Sequence, residues 1–235
     1  MKLWGIFAVL MMISAMVPMS EAIQVTDPDV AAIWLFDEPA KEEAKDISKY
    51  GHVGKIHGNV EWTEEGKFGG AMLFKGNVSW IEVPDHPSLQ FPKGQDFTIA
   101  AYQAKQLDGH VSFFLRNAAG QSFHIASKST INDGEWHHIA GVREGGTIRL
   151  YVDGEEEASM DGADCDVGTN PAPLHINGHL DRWLVGAFDE IILIRRALTK
   201  DEIRSLVDGG IASIFLDVSK KGKLAVTWGQ VKRGF

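Results

Sequence analysis

Two aspartates stand where a charge is expensive. Asp189 enters the apolar run Phe188 to Ile194, and Asp37 closes the apolar run Ala31 to Phe36. A carboxylate so placed costs free energy unless it is paired or metal-bound. Calcium suits such a place, because it takes several oxygen ligands and accepts backbone carbonyls among them. The alternative is that Asp189 caps nearby backbone amides while Glu190 pairs with Arg195 or Arg196. The adjacent His137 and His138 invite a catalytic reading. Neighbours on a strand point to opposite faces, however, and cannot act on one atom. Residues that could stack on a sugar and hydrogen-bond it are Trp80, Tyr102, Trp183, Arg182, His179 and Asp181. Trp183, Arg182 and Tyr102 are the expected ligand-binding set, with the first two in the Gly178 to Gly186 loop at the rim of the fold.

Other chemistries lack their residues. There is no Gly-x-Ser-x-Gly elbow and no histidine pair with zinc spacing around a glutamate. Glu155-Glu156-Glu157 follows an Asp-Gly turn and reads as an acidic loop. Cys165 is the single cysteine, so no internal disulfide forms, and it reads as a loop thiol. The net charge of −9 repels nucleic acid phosphates.

The elements that must position these residues are short. Lys2, the apolar stretch Leu3 to Val17 and Ser20-Glu21-Ala22 have the parts of a secretory signal peptide, expected over residues 1–22. Beyond it, no segment is long and apolar enough to span a bilayer. Apolar runs of strand length then alternate with glycine-rich turns. They are read at 31–36, 55–62 (broken by Gly58), 71–74, 80–83, 97–102, 111–115, 122–126, 136–143, 147–152, 174–176 and 188–194. Residues 40–51 read as a polar loop. In the hairpin around Glu144-Gly145-Gly146, Ile148, Leu150 and Val152 face one way, and Thr147, Arg149 and Tyr151 the other, so one face is expected to be buried and one wetter. A single helix is expected after Thr199, capped by Thr199 and Glu202 and ended by Gly209. Residues 211–235 read as a basic tail, with Leu224 to Trp228 patterned as a final strand. The class is all-β: a two-sheet antiparallel β-sandwich with one short helix near its C-terminal end.

Several phrases then fall in order: Ala31-Ala32-Ile33-Trp34-Leu35-Phe36-Asp37-Glu38, Gly69-Gly70-Ala71-Met72-Leu73-Phe74, Trp80-Ile81-Glu82-Val83-Pro84, Phe97-Thr98-Ile99-Ala100-Ala101, Asp133-Gly134-Glu135-Trp136-His137-His138, Leu150-Tyr151-Val152-Asp153-Gly154, Phe188-Asp189-Glu190 and Arg196-Ala197-Leu198-Thr199. Together they resemble the laminin-G-like, concanavalin A-like jelly-roll superfamily over about residues 28–210. The resemblance implies two sheets face to face, with binding at the rim or on the concave sheet. It also implies a structural calcium held through Asp189, and more weakly Asp37, with backbone oxygens. The sequence departs from the family in three places. Tyr102 stands where the family has Trp, the stretch to Val111 is too short for the strand that usually follows, and Lys75 replaces an Asp. The Glu-x-Asp-x-x-Glu strand of glycan-hydrolysing relatives is absent, so no catalytic residue is assigned.

The expectation is a secreted, non-catalytic binding module, extracellular or periplasmic. Residues 23–210 form the jelly roll, which is expected to take carbohydrate or glycoconjugate and the structural calcium ion that the resemblance implies. Its partners would be extracellular glycans or proteins, with no nucleic acid and no membrane after leader cleavage. The alternatives are a protein-interaction or adhesion module without sugar binding and, further off, a degenerate glycoside hydrolase.

Overall fold

The computed structural model describes residues 23–215, apart from 77, 106–108, 118, 168–169 and 179–182. The expected signal peptide, Arg182, His179, Asp181 and tail residues 216–235 therefore lie outside the described residues. The first strands are β1 (Val30–Trp34), β2 (Glu43–Lys45), β3 (Val53–His57), β4 (Val60–Gly66), β5 (Gly69–Lys75), β6 (Trp80–Val83) and β7 (Phe97–Lys105). They are followed by β8 (His110–Arg116), β9 (Ser122–Thr130), β10 (His137–Glu144), β11 (Thr147–Val152), β12 (Glu155–Met160), β13 (Leu174–Ile176) and β14 (Val185–Ile194). Among the described residues one α-helix, α1 (Lys200–Gly209), comes last.

The large sheet runs β12-β11-β10-β7-β14-β5-β4, with β1 paired to β14. The facing layer is in two pieces, a sheet β13-β6-β3-β2 and the separate hairpin β8-β9. Every strand pairing is antiparallel. Period-two alternation aims Ile148, Leu150 and Val152 of β11 into the space between the layers. There they join Ile81 and Val83 of β6 and Val111, Phe113 and Leu115 of β8 in one apolar core. Two glycines make the β10–β11 turn possible. Gly145 (φ 54°) and Gly146 (φ 84°) occupy the left-handed region that a two-residue hairpin demands.

The other face of the large sheet is not wet, contrary to the alternation argument. Tyr151 is 6% exposed and belongs to a second apolar cluster with Ala100, Ile192, Ile203 and Leu206. Helix α1 lies over this face. Thr199 accepts the Glu202 amide while Glu202 reaches back to the Thr199 amide, the expected capping box. Gly210 (φ 66°), one residue later than expected, caps the other end. The packed unit also runs past Gly210: Ile211, Ile214 and Phe215 are buried in the same cluster, and Phe215 pairs with Ile23.

Candidate functional site: an aromatic platform and a buried aspartate pair

On β6 the alternation that buries Ile81 and Val83 turns Trp80 and Glu82 outward. The partner strands supply the neighbours. His57 of β3 lies opposite Trp80 and stacks on it, with ring centroids 4.5 Å apart and planes 9° from parallel. His175 of β13 lies opposite Glu82, with Nε2 3.5 Å from its carboxylate and its ring 6.2 Å from that of Trp80. Trp183 completes the cluster at 5.5 Å from Trp80.

Trp183 comes from the loop after β13, which is clamped at its ends by one side chain. Asn177 (φ 62°) accepts the Leu184 amide at 3.0 Å, and its Nδ2 donates to the carbonyls of Leu184 and Ser79. Gly178 is required beneath the indole, since a Cβ there would lie 2.2 Å from the Trp183 ring. The result is a partly exposed patch of four rings. Within it Trp80 Nε1 and His57 Nε2 are buried and have no hydrogen-bond partner among the described residues. Lys55, exposed and in register with Glu82, flanks the patch. Ring faces beside polar groups are what a sugar's apolar face and hydroxyls require.

The two aspartates of the sequence analysis come together at the end of β1. Asp189 is fully buried. Its Oδ2 accepts the Phe68 amide at 2.8 Å, and its Oδ1 makes no hydrogen bond of normal geometry among the described residues. Burial, with the negative charge of Asp37 adding to it, lifts the Asp189 carboxyl to about 7. Asp37 accepts the Gly70 amide at 3.2 Å. Both neighbours carry backbone strain: Phe36 sits at φ 55° and Glu190 at φ 48°, and a bulge interrupts the β14–β7 ladder between Asp189 and Ile192. A cavity of about 440 Å³ opens beside Asp37, with Leu35, Phe36, Pro39, Ala44 and Ile47 in its wall. The buried, unpartnered carboxylate oxygen and the second carboxylate fit a hard cation such as calcium. Among the described residues no third carboxylate, histidine or cysteine joins them, so further ligands would be backbone oxygens.

The amide cap on Asp189 matches half of the alternative reading. The other half differs: Glu190 accepts the Ile211 amide at 2.6 Å, while Arg196 pairs with Glu202 and Arg195 donates to the carbonyls of Ser88 and Gln90.

Tyr102 is displaced from the ligand-binding set. It is 2% exposed, and its hydroxyl donates to the carbonyls of Leu206 and Val207 beneath α1. The helix therefore covers the part of the large sheet where it would have acted. His137 and His138 do face opposite ways. His137 bridges Asp133 and Asp153 at the surface, and His138 is buried against Tyr102. Glu155-Glu156-Glu157 is not a loop but the start of edge strand β12. Cys165 is buried and its carbonyl accepts from the buried Arg143.

One constellation was not anticipated. Asp46 Oδ2 lies 2.6 Å from His52 Nδ1, and His52 Nε2 lies 3.0 Å from Ser88 Oγ. This is the order of an acyl-transfer triad. The Asp46 side chain is fully buried and Ser88 only 6% exposed, and Ser88 Oγ is also shared with His86 Nδ1. Asp46 further accepts the amides of Ile33 and Ser48. The network ties β1 to the loop after β2 and to the 3-10 turn Pro87–Leu89.

These features meet their counterparts in known proteins. A laminin G family model, described as the concanavalin A-like lectin/glucanases superfamily, matches residues 79–204, and the chain belongs to that superfamily. Among curated proteins, the basement membrane-specific heparan sulfate proteoglycan core protein of Mus musculus is 30% identical over 115 residues. That match takes in 49% of this chain and only 3% of the relative.

Among solved structures, the binding domain of Paraclostridial Mosquitocidal Protein 1 superposes with a TM-score of 0.65 at 18% identity, over 78% of this chain and 52% of that one. The botulinum neurotoxin serotype G binding domain gives 0.61 at 13%, over 76% and 50%. The chain thus spans about half the length of each toxin domain. Domain 4 of AbnA, a GH43 extracellular arabinanase from Geobacillus stearothermophilus solved with arabinotriose, gives 0.59 at 19%, over 76% of this chain and 98% of that domain. These likenesses show the fold.

Proposed function

We propose that this chain is a secreted, non-catalytic module that binds extracellular carbohydrate over the Trp183, Trp80, His57 and His175 platform. The observation that carries the reading is the outward cluster of four rings, with His57 stacked on Trp80 and His175 and Trp183 tilted against it, beside the Glu82 carboxylate and held by a clamped loop. Arg182, next to Trp183 in the chain, is the cation proposed to hydrogen-bond the ligand. A calcium ion on Asp37 and Asp189 is proposed to brace the rim, neutralising a carboxylate that burial makes costly. The arabinotriose bound to the arabinanase domain supports a saccharide ligand for this fold.

A protein partner is the second reading. It is favoured by the hairpin β8-β9, a two-stranded sheet whose β8 has β9 as its only ladder neighbour among the described residues. A glycan array probed with wild type and Trp183→Ala, with calcium and with chelator, tests the leading reading.

A further inference from the structure

The chain carries 32 acidic residues and a net charge of −9, yet the run from Gly109 to Ile131 holds no aspartate or glutamate. This run is the β8-β9 hairpin. Its inner face feeds Val111, Phe113, Leu115 and Ile125 into the core shared with β6 and β13. Its outer face therefore points to the same side of the sandwich as the Trp80 platform. That outer face is built of His110, Ser112, Phe114 and Arg116 on β8 and of Ser122, His124 and Lys128 on β9, all exposed.

Phe114 is 50% exposed, lies opposite His124 across the strands and meets its ring edge at 6.0 Å. His124 Nε2 lies 3.2 Å from Ser112 Oγ. Arg116 has no ion pair among the described residues. The nearby Glu157 of β12 uses its carboxylate on the amides of Lys128 and Ser129, at 2.7 and 2.8 Å.

We propose that this face is a subsite for an acidic, carboxylate-bearing polysaccharide. Cations and imidazoles lie along a strand about 20 Å long, matched to an extended polyanion. The exposed Phe114 ring offers a stacking face, and Ser112 and Ser122 offer hydroxyls. The guanidinium of Arg116 presents the fork that a carboxylate accepts in two hydrogen bonds. The surrounding acidic surface repels polyanions elsewhere and so restricts them to this face. That the ligand is a saccharide rests on the function proposed above; the charge preference and the place on the hairpin do not.

The test uses polygalacturonate, neutral dextran and duplex DNA with the purified protein at low and high salt. Arg116→Glu, Lys128→Glu and Phe114→Ser, all at exposed positions, are compared after melting curves show that they fold. Polygalacturonate should bind better than dextran and DNA, with affinity falling as salt rises. Each charge reversal should weaken it about tenfold, and Phe114→Ser should weaken it less. Neutral glycans that depend on Trp183 should bind the three variants as they bind wild type. Equal binding of polygalacturonate and dextran, equal binding of DNA, or indifference to the reversals would overturn the proposal. None of these outcomes touches the platform, whose failure would show as Trp183→Ala binding neutral glycans normally.

Discussion

The hydroxyl of Tyr102 lies 2.9 Å from the carbonyl oxygen of Leu206 and 2.6 Å from that of Val207. It fastens the last turn of α1 to the central strand β7. Burial first, then the negative charges of Glu190, Asp153 and Asp189, push its ionisation far above the usual tyrosine range, so it remains a donor. Tyr102→Phe should cost about 1–2 kcal/mol, read as a lower urea midpoint with an unchanged slope. Carbohydrate binding should not change. A loss of binding without a loss of stability would return Tyr102 to the ligand site.

His138 makes the fold acid-sensitive. It is 2% exposed, and burial pushes its imidazole down to about 4, against the opposing pull of Asp153. In the unfolded chain it titrates near 6.5. Between those values the unfolded state binds a proton that the folded state refuses, so stability falls as pH drops through about 6.5 to 4, by up to roughly 3 kcal/mol. His137 has the opposite sign. Burial alone would lower it, but Asp153 and Asp133 more than offset that and raise it. Its contribution is complete below about 6.5 and fades as pH rises through its folded value. Urea midpoints of wild type and His138→Phe across this range should show a flatter acid limb in the variant. Parallel limbs would contradict the assignment.

Asp189 predicts a calcium response. Its carboxyl is lifted to about 7, so without a cation the protein loses stability as pH rises from the unfolded value near 4 towards 7. The ionised form above 7 carries a penalty on the order of a few kcal/mol. Calcium should raise the melting temperature at pH 8 and chelator should reverse it. Asp189→Asn should abolish the response and, in chelator at pH 8, melt no lower than wild type. A calcium response that survives Asp189→Asn would place the ion elsewhere.

Asp46 holds a network of donors inside the fold. Burial raises its carboxyl, but hydrogen bonds from His52, Ile33 and Ser48 more than offset this and keep it below the ordinary aspartate value. Asp46→Ala strands those donors and should cost about 3 kcal/mol or more, seen in chemical denaturation. A change under 1 kcal/mol would mean that the network is dispensable.

Much of the fold was legible in the residues because alternation and turn chemistry are local. Trp80–Val83, Thr147–Val152 and Leu174–Ile176 end where their patterns end. Gly58 does more than break a strand. At φ 71° it separates β3 from β4, because a Cβ there would lie 1.7 Å from the Val78 carbonyl oxygen. Strand β12 escaped because Glu155 to Met160 has no apolar alternation; its charges suit a strand at the sheet edge. Strand β2 is three residues long and buries only Ala44.

The candidate site was half legible. Trp183 and Trp80 stood out as aromatics near turns, and the two aspartates as misplaced charges. Their grouping with His57 and His175 depends on the β3–β6–β13 register, and the burial of Tyr102 on a helix a hundred residues later. Neither is written in any local pattern. The Asp46-x-Ser48 and His52 spacing was the available signal for the buried network, and a polar loop reading concealed it.

Glycan-array binding of wild type and Trp183→Ala, each shown to be folded by its melting curve, tests the aromatic platform most directly. Wild type should bind a defined set of saccharides and the variant should lose at least tenfold, the scale of a lost stacking ring and its ordered contacts. Saccharide binding that is unchanged in Trp183→Ala, or no saccharide bound by wild type with calcium present, would contradict the platform's role.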